Sequence, residues 1–253
     1  MHMEVKAFGL THVGRQRQHN EDAFLVEDDA RLFLVADGMG GHAAGEIASR
    51  IAGESIAEFI RTSLDEDGTW PHAYDEHLKP GTNRLLAAVK VANSRVIEAM
   101  RKDARLRGMG TTVVASLLEG ETMSLAHVGD SRGYLIRGSQ MKRITNDHSW
   151  VFEQVQAGML TEAEAERHPL RNVITRALGG ALTVVPEACE VAIEKGDIFL
   201  LCSDGLTGMV PEDEILRLLV EHPNLDEAGK KLIETANARG GHDNITVVLV
   251  RAE

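Results

Sequence analysis

Three short apolar runs in this 253-residue chain each meet an aspartate with glycine close by. Leu32-Phe33-Leu34-Val35-Ala36 leads into Asp37-Gly38-Met39-Gly40-Gly41, and Ile198-Phe199-Leu200-Leu201-Cys202 leads into Ser203-Asp204-Gly205. At the third, Gly241-His242-Asp243-Asn244 opens the run Ile245-Thr246-Val247-Val248-Leu249-Val250. Runs of this length, rich in β-branched and aromatic residues, read as buried strands. A carboxylate at a strand end can reach a shared cleft without entering the core, and glycine lets the backbone approach a ligand closely. Taken singly, each is also a common turn, since a strand followed by Asp-Gly needs no ligand.

The intervening segments alternate in texture. Residues 5–10 open with an apolar stretch, and Ile47, Ile51, Ile56, Phe59 and Ile60 recur at helical spacing, as do Leu85, Val89, Ala92, Val96 and Met100. The polar stretch 65–81, with Pro and Gly, reads as a loop. Residues 111–145 read as an antiparallel meander, broken at Glu119-Gly120-Glu121 and at Gly129-Asp130-Ser131-Arg132. Residues 146–185 are more polar and read as helical in pieces, and two helices, 211–221 and 225–238, precede the last strand. With no internal repeat or linker, the expectation is a single domain over 1–253.

Charge narrows the partners. Against 27 basic residues stand 39 acidic ones, a formal net charge of -12 that repels a polyanion over most of the surface, so nucleic acid is not an expected partner. The two cysteines, Cys189 and Cys202, are too few for a disulfide framework and read as buried thiols in a reducing compartment. No apolar run approaches the ~18–20 residues that span a bilayer, and the start lacks a signal-peptide pattern, so the expected location is the cytoplasm without membrane attachment.

Glu21, Asp22 and Asp130 join the three strand-end aspartates as hard oxygen donors. Oxygen donors without a His/Cys cluster favour Mg²⁺ or Mn²⁺ over zinc. His12, His19, His127, His148, His168 and His242 are scattered without ligand spacing and read as surface or packing residues, as do Met39, Met109 and Cys202. The glycines at 38–45 lack the Lys-Ser/Thr of a nucleotide loop and any dinucleotide fingerprint.

Taken in order, Asn20-Glu21-Asp22, Asp37-Gly38-Met39-Gly40-Gly41, Gly129-Asp130-Ser131-Arg132, Ser203-Asp204-Gly205 and Gly241-His242-Asp243-Asn244 closely resemble the signature of the metal-dependent protein phosphatases, the protein phosphatase 2C family, in its bacterial form. The resemblance runs from about Gly9 to Val250. It implies an α+β fold: an antiparallel β-sandwich flanked by helices on both sides (α-β-β-α), with a small flap subdomain at about 147–182. It also implies hydrolysis of phosphoserine and phosphothreonine on proteins by a water activated at a dinuclear Mn²⁺ or Mg²⁺ centre.

The implied ligands follow residue by residue. Asp37 bridges two metals, the Gly38 carbonyl and Glu21 complete one, and Asp204 and Asp243 hold the other. Asp22 supports the pair, Asn244 supports the loop of Asp243, and Arg17, three residues before Asn20, grips phosphate with its planar fork. Asp130, with Asp204, is implied to hold a third and weaker ion, the competing role being a cap of its own turn. Eukaryotic relatives carry a histidine after the Asp-Gly pair where Met39 stands here, which leaves His42 as the nearest general acid, metal-bound water as the alternative and a structural hydrogen bond as the competing role. Phosphorylated proteins and a cognate serine/threonine kinase are the implied partners, and a monomer is the default. Two rival functions remain: a phosphoprotein-binding pseudophosphatase scaffold, which the complete carboxylate set argues against, and a two-metal phosphodiesterase.

Overall fold

The structure, a computed structural model, describes residues 3–40, 43–64 and 74–253. It opens with strands β1 (Val5–His12), β2 (Asp22–Glu27) and β3 (Leu32–Met39), followed by long helices α1 (Ala43–Leu64) and α2 (Pro80–Lys102). Strands β4 (Gly110–Thr111), β5 (Val113–Glu119), β6 (Thr122–Val128), β7 (Arg132–Arg137) and β8 (Gln140–Arg143) come next, then short helices α3 (Trp150–Gln156) and α4 (Glu162–Arg167). The chain ends with β9 (Glu187–Ala192), β10 (Ile198–Cys202), α5 (Asp204–Thr207), α6 (Glu212–Glu221), α7 (Leu225–Ala238) and β11 (Ile245–Ala252).

Two antiparallel sheets result. One has the order β1-β11-β10-β7-β8, and the other has β2-β3-β5-β6-β9 with β4 paired to β3. Side chains alternate along each central strand, and the alternation builds the layers. Leu32, Leu34 and Ala36 of β3 face α1 and α2, packing with Ile56, Ile60, Leu85 and Val89, while Phe33 and Val35 face the other sheet. In the same way, Leu200 and Cys202 of β10 face α6 and α7, while Phe199 and Leu201 meet Phe33 and Val248 between the sheets. The outcome is the expected α-β-β-α arrangement. None of the described helices is long and apolar enough to cross a membrane.

Several local readings change. Residues 111–145 do not form one meander: β5 pairs with β6 in one sheet, β7 with β8 in the other, and the turn at Gly129-Asp130-Ser131 carries the chain between sheets at the sandwich edge. The strand through Asp37 does not stop there, because Gly38 and Met39 pair with Thr111 and Gly110. Strands β2, over the short run Ala23-Phe24-Leu25-Val26, and β9, which has no such run, add to the reading; each pairs with only one neighbour and is half-buried along most of its length. Of the segment read as a loop, residues 65–73 lie outside the described residues, and α2 already begins at Pro80, where a fixed φ suits a first turn. Cys202 is fully buried, but Cys189 on β9 is only partly so, with its thiol 3.6 Å from the Ile144 carbonyl. Between β8 and β9, residues 144–186 hold the two short helices and are otherwise irregular, tied back by bridges from Ser149 to Ile174 and from Thr111 to Leu178.

Candidate metal centre

The site begins with the backbone at Asp37. Its carbonyl accepts from the Thr112 N–H at 2.8 Å and the Thr111 hydroxyl at 2.9 Å, while its N–H donates to Thr112 Oγ1 at 3.2 Å. Thr112 Oγ1 lies 2.7 Å from Ser131 Oγ, so the strand end bearing Asp37 is fastened to the turn bearing Asp130. All three hydroxyl residues are buried. Across β2–β3 pairing, Asp22 stands opposite Asp37.

Glu21 is placed from the far end of the chain. The Asn244 side chain accepts from the Glu21 N–H at 2.8 Å and donates to the carbonyls of Val13 and His19, each at 2.9 Å. Ser49 on α1 donates to the Glu21 carbonyl at 2.6 Å, which binds the first helix to the same loop. The approach is close enough to dictate glycine: a Cβ on Gly38 would lie 2.2 Å from the Gly45 carbonyl oxygen, and one on Gly45 would lie 2.7 Å from the Glu21 carboxyl carbon. Asn244 thus organises the loop of Glu21 more than that of Asp243, to which it is joined by its own N–H at 2.9 Å from Asp243 Oδ1.

The carboxyls converge from both sheets. Those of Asp37, at the end of β3, and Asp204, just past β10, lie within hydrogen-bonding reach of each other. Burial and the neighbouring Asp22, Asp204, Asp130 and Asp243 charges push the Asp37 carboxyl well above its ordinary range. Burial, opposed by hydrogen bonds from Thr246 and Ser203, lifts Asp22 to about 7. Asp130 is likewise raised to about 7, by burial and then Asp204, and Asp204 to about 6, by burial and then Asp243. Glu21 is raised by burial, against the lowering effect of Arg17. Asp22 Oδ2 accepts from Ser203 Oγ at 2.8 Å and Thr246 Oγ1 at 2.5 Å, which aims its carboxyl from below the cluster.

Such a set of acids is destabilised by its own charge and fits a cation. Three of the buried oxygens, Glu21 Oε1, Asp22 Oδ1 and Asp130 Oδ1, have no hydrogen-bond partner, although buried polar atoms are nearly always paired. Carboxylate oxygens are the donors that Mg²⁺ and Mn²⁺ prefer. At the rim, Arg17 Nη2 donates to Asp243 Oδ2 at 2.7 Å with about half of its side chain in solvent (51% exposed).

The profile of the protein phosphatase 2C family matches residues 9–249. The chain belongs to the protein phosphatase 2C family. It is 37% identical to the serine/threonine phosphatase Stp of Listeria monocytogenes over 261 aligned positions, covering 100% of this chain and 96% of that protein. The crystal structure of the Mycobacterium tuberculosis serine/threonine phosphatase PstP/Ppp superposes with a TM-score of 0.86 at 38% identity, covering 98% of this chain and 99% of that one. A structure of the PstP catalytic domain in complex with two manganese ions superposes with a TM-score of 0.85 at 36% identity, covering 99% of each chain.

Within this phosphatase fold, Glu21, Asp22, Asp37, Gly38, Asp130, Asp204, Asp243 and Asn244 come from distant parts of the sequence to one edge of the sandwich. His42 lies outside the described residues. Two histidines that showed no ligand spacing do meet: His127 and His148 stack at 4.7 Å, and Glu187 joins them. They make a poor ion site. His148 Nδ1 accepts from the Gly129 N–H at 3.1 Å, which puts the proton on Nε2, 3.2 Å from Glu187 Oε1, and His127 Nε2 lies 2.7 Å from the Asn146 carbonyl. Stacked rings also aim their in-plane lone pairs along separate planes. Burial lowers the pKa of His127 and takes that of His148 to about 4, so both stay neutral. The trio clamps the Gly129-Asp130 turn to the start of the irregular segment, helped by the His148 N–H donating to the Gly129 carbonyl at 2.9 Å.

Proposed function

We propose that the protein is a metal-dependent serine/threonine phosphatase that hydrolyses phosphoserine and phosphothreonine on proteins at a dinuclear Mn²⁺ or Mg²⁺ centre. The observation that carries this reading is the convergence of Asp37, Asp204 and Asp243, with buried unpartnered oxygens on Glu21, Asp22 and Asp130, in a chain matched to phosphatases over nearly its full length. Asp37 would be shared between the two ions, with the Gly38 carbonyl and Glu21 holding one and Asp204 and Asp243 the other. Asp22 is the supporting carboxylate beneath them.

Two such cations, when bound, acidify water and offset charge on the phosphoryl oxygens. Arg17, always charged and held at the rim by Asp243, turns its exposed fork to two phosphate oxygens and orients the ester. Asp130 is a ligand for a third, weaker ion. Its partnerless Oδ1 supports that role over a turn cap, whose oxygens would be occupied by backbone N–H groups. His42 is the candidate proton donor to the leaving alkoxide. Residues 147–182, beside the Asp130 turn, act as the flap that meets substrate, within one phosphatase domain over 1–253. The reading places the enzyme in signalling, as a monomer in the cytoplasm, opposed by a serine/threonine kinase acting on the same proteins.

A test compares phosphate release from a phosphothreonine peptide, a cyclic dinucleotide and the same peptide in excess chelator. Turnover of the peptide alone, lost on chelation and restored by Mn²⁺, is the expected pattern. Turnover of the dinucleotide in preference would replace the phosphatase with a phosphodiesterase, and binding of the phosphopeptide without turnover at saturating Mn²⁺ would leave a scaffold.

A further inference from the structure

Away from the carboxylates, a cavity of about 620 Å³ opens between the end of α2, the loop after it and residues 179–182. Ile97, Met100, Ala104 and Leu182 give it apolar walls, and Arg101 and Arg107 stand on its border. Leu182 is 70% exposed, unusual for its type. The neighbouring cations are already matched, Arg95 to Glu58, Lys102 to Glu98 and Arg105 to Asp103. Arg101 and Arg107, both exposed, make no ion pair among the described residues. Two uncompensated arginines thus border an apolar cavity on a chain of net charge -12.

The cavity is also tied to the reacting centre. Gly38 pairs with Thr111 and Thr111 bridges to Leu178, the residue before the cavity wall at Gly179. Three adjacent backbone rows about 4.8 Å apart put Leu178 about 10 Å from Gly38. An extended peptide covers about 3.3 Å per residue, so a segment running from the carboxylate cluster toward the cavity would reach it about three to five positions from the phosphorylated residue.

Resting on the phosphatase reading, we infer that this cavity docks an acidic, partly apolar segment of the phosphoprotein substrate, three to five residues from the phosphorylated position. Arg101 and Arg107 hold its carboxylates, and an aliphatic side chain enters between Met100 and Leu182. Substrates with basic flanks are disfavoured by the same two charges.

The test measures kcat and KM of the full chain with Mn²⁺ on p-nitrophenyl phosphate and on phosphothreonine peptides carrying Asp and Leu, or Lys and Ser, three to five residues away on either side. The expected result is a lower KM for the acidic peptide. In the double variant Arg101→Glu/Arg107→Glu that KM rises about tenfold, from two exposed ion pairs lost and reversed, while p-nitrophenyl phosphate turnover is unchanged. Leu182→Asp raises the same KM, and Arg101→Lys/Arg107→Lys largely preserves it. Equal KM for the two peptides in the parent, or an unmoved KM in the charge reversal, overturns the docking site while phosphatase activity stands. A charge reversal that alters only sedimentation assigns the face to self-association and overturns it too. A parent inactive on every phosphomonoester rejects the phosphatase reading instead.

Discussion

Replacing Asn244 with alanine removes one side chain that ties the start of β11 to three points, Val13, His19 and Glu21, in the connection between β1 and β2. The contacts to the Glu21 N–H and to the carbonyls of Val13 and His19 span 223, 231 and 225 residues, so no local structure substitutes for them. His19 is exposed and its carbonyl regains water, whereas Val13 and Glu21 are half-buried, leaving one donor and one acceptor poorly solvated. A buried group stripped of its partner costs about 1–3 kcal/mol, so Asn244→Ala should lose about 2–4 kcal/mol of stability. Urea unfolding in chelator should show a lower midpoint with an unchanged slope, and Asn244→Asp, which keeps only the acceptor, should fall between the two. Mn²⁺ titration by calorimetry should weaken in the alanine variant, because Glu21 is released from its backbone anchor. A loss below about 1 kcal/mol together with a parental Mn²⁺ titration would refute the reasoning.

Asp37→Asn keeps the shape of the side chain but removes the charge that the proposed site shares between both ions, so calorimetry should show weaker Mn²⁺ binding and turnover should fall by orders of magnitude. Asp130→Ala should leave the fold and two ions in place and reduce the response of turnover to added Mn²⁺; a lower melting temperature with an unaltered metal titration would point to a turn cap. In the metal-stripped protein, Asp22 and Asp130 at about 7 and Asp204 at about 6 hold protons that the unfolded chain, near 4, has released. The native state then binds more protons over about pH 4–7, so its melting temperature should fall as pH rises through that window. Mn²⁺ should reverse the trend, because its ligands bind as carboxylates; a metal-free melting temperature that climbs with pH contradicts the raised carboxyls.

The carboxylates that converge at one edge were legible in the sequence because each lies near a strand end or turn marked by glycine or asparagine, and because five such marks occur in one order. The layers came from the family resemblance, because β3, β10 and β11 are apolar on both faces and such runs do not say which side meets helices and which the other sheet. The hydroxyls were not legible. Thr112, Ser131, Ser203 and Thr246 are ordinary strand and turn residues, and their roles depend on contacts such as Ser203 to Asp22, 181 residues apart. Strand β9 leaves no apolar run, and in β2 the run is only Ala23-Phe24-Leu25-Val26 between acidic residues, which hid both. The crossing between sheets at Asp130 reads as any tight turn, since pairing partners are not written in the turn itself. His148 follows no spacing rule because its partners lie on Gly129 and Glu187, in separate elements.

The central claim is that Asp37 shares two ions and that hydrolysis needs both. Its most direct test is turnover of a phosphothreonine peptide measured against bound Mn²⁺ per chain, determined by metal analysis on the same stripped and reloaded sample. Turnover should stay negligible through the first ion and rise with the second. Full turnover in a sample that holds one ion per chain, or none, would contradict the account.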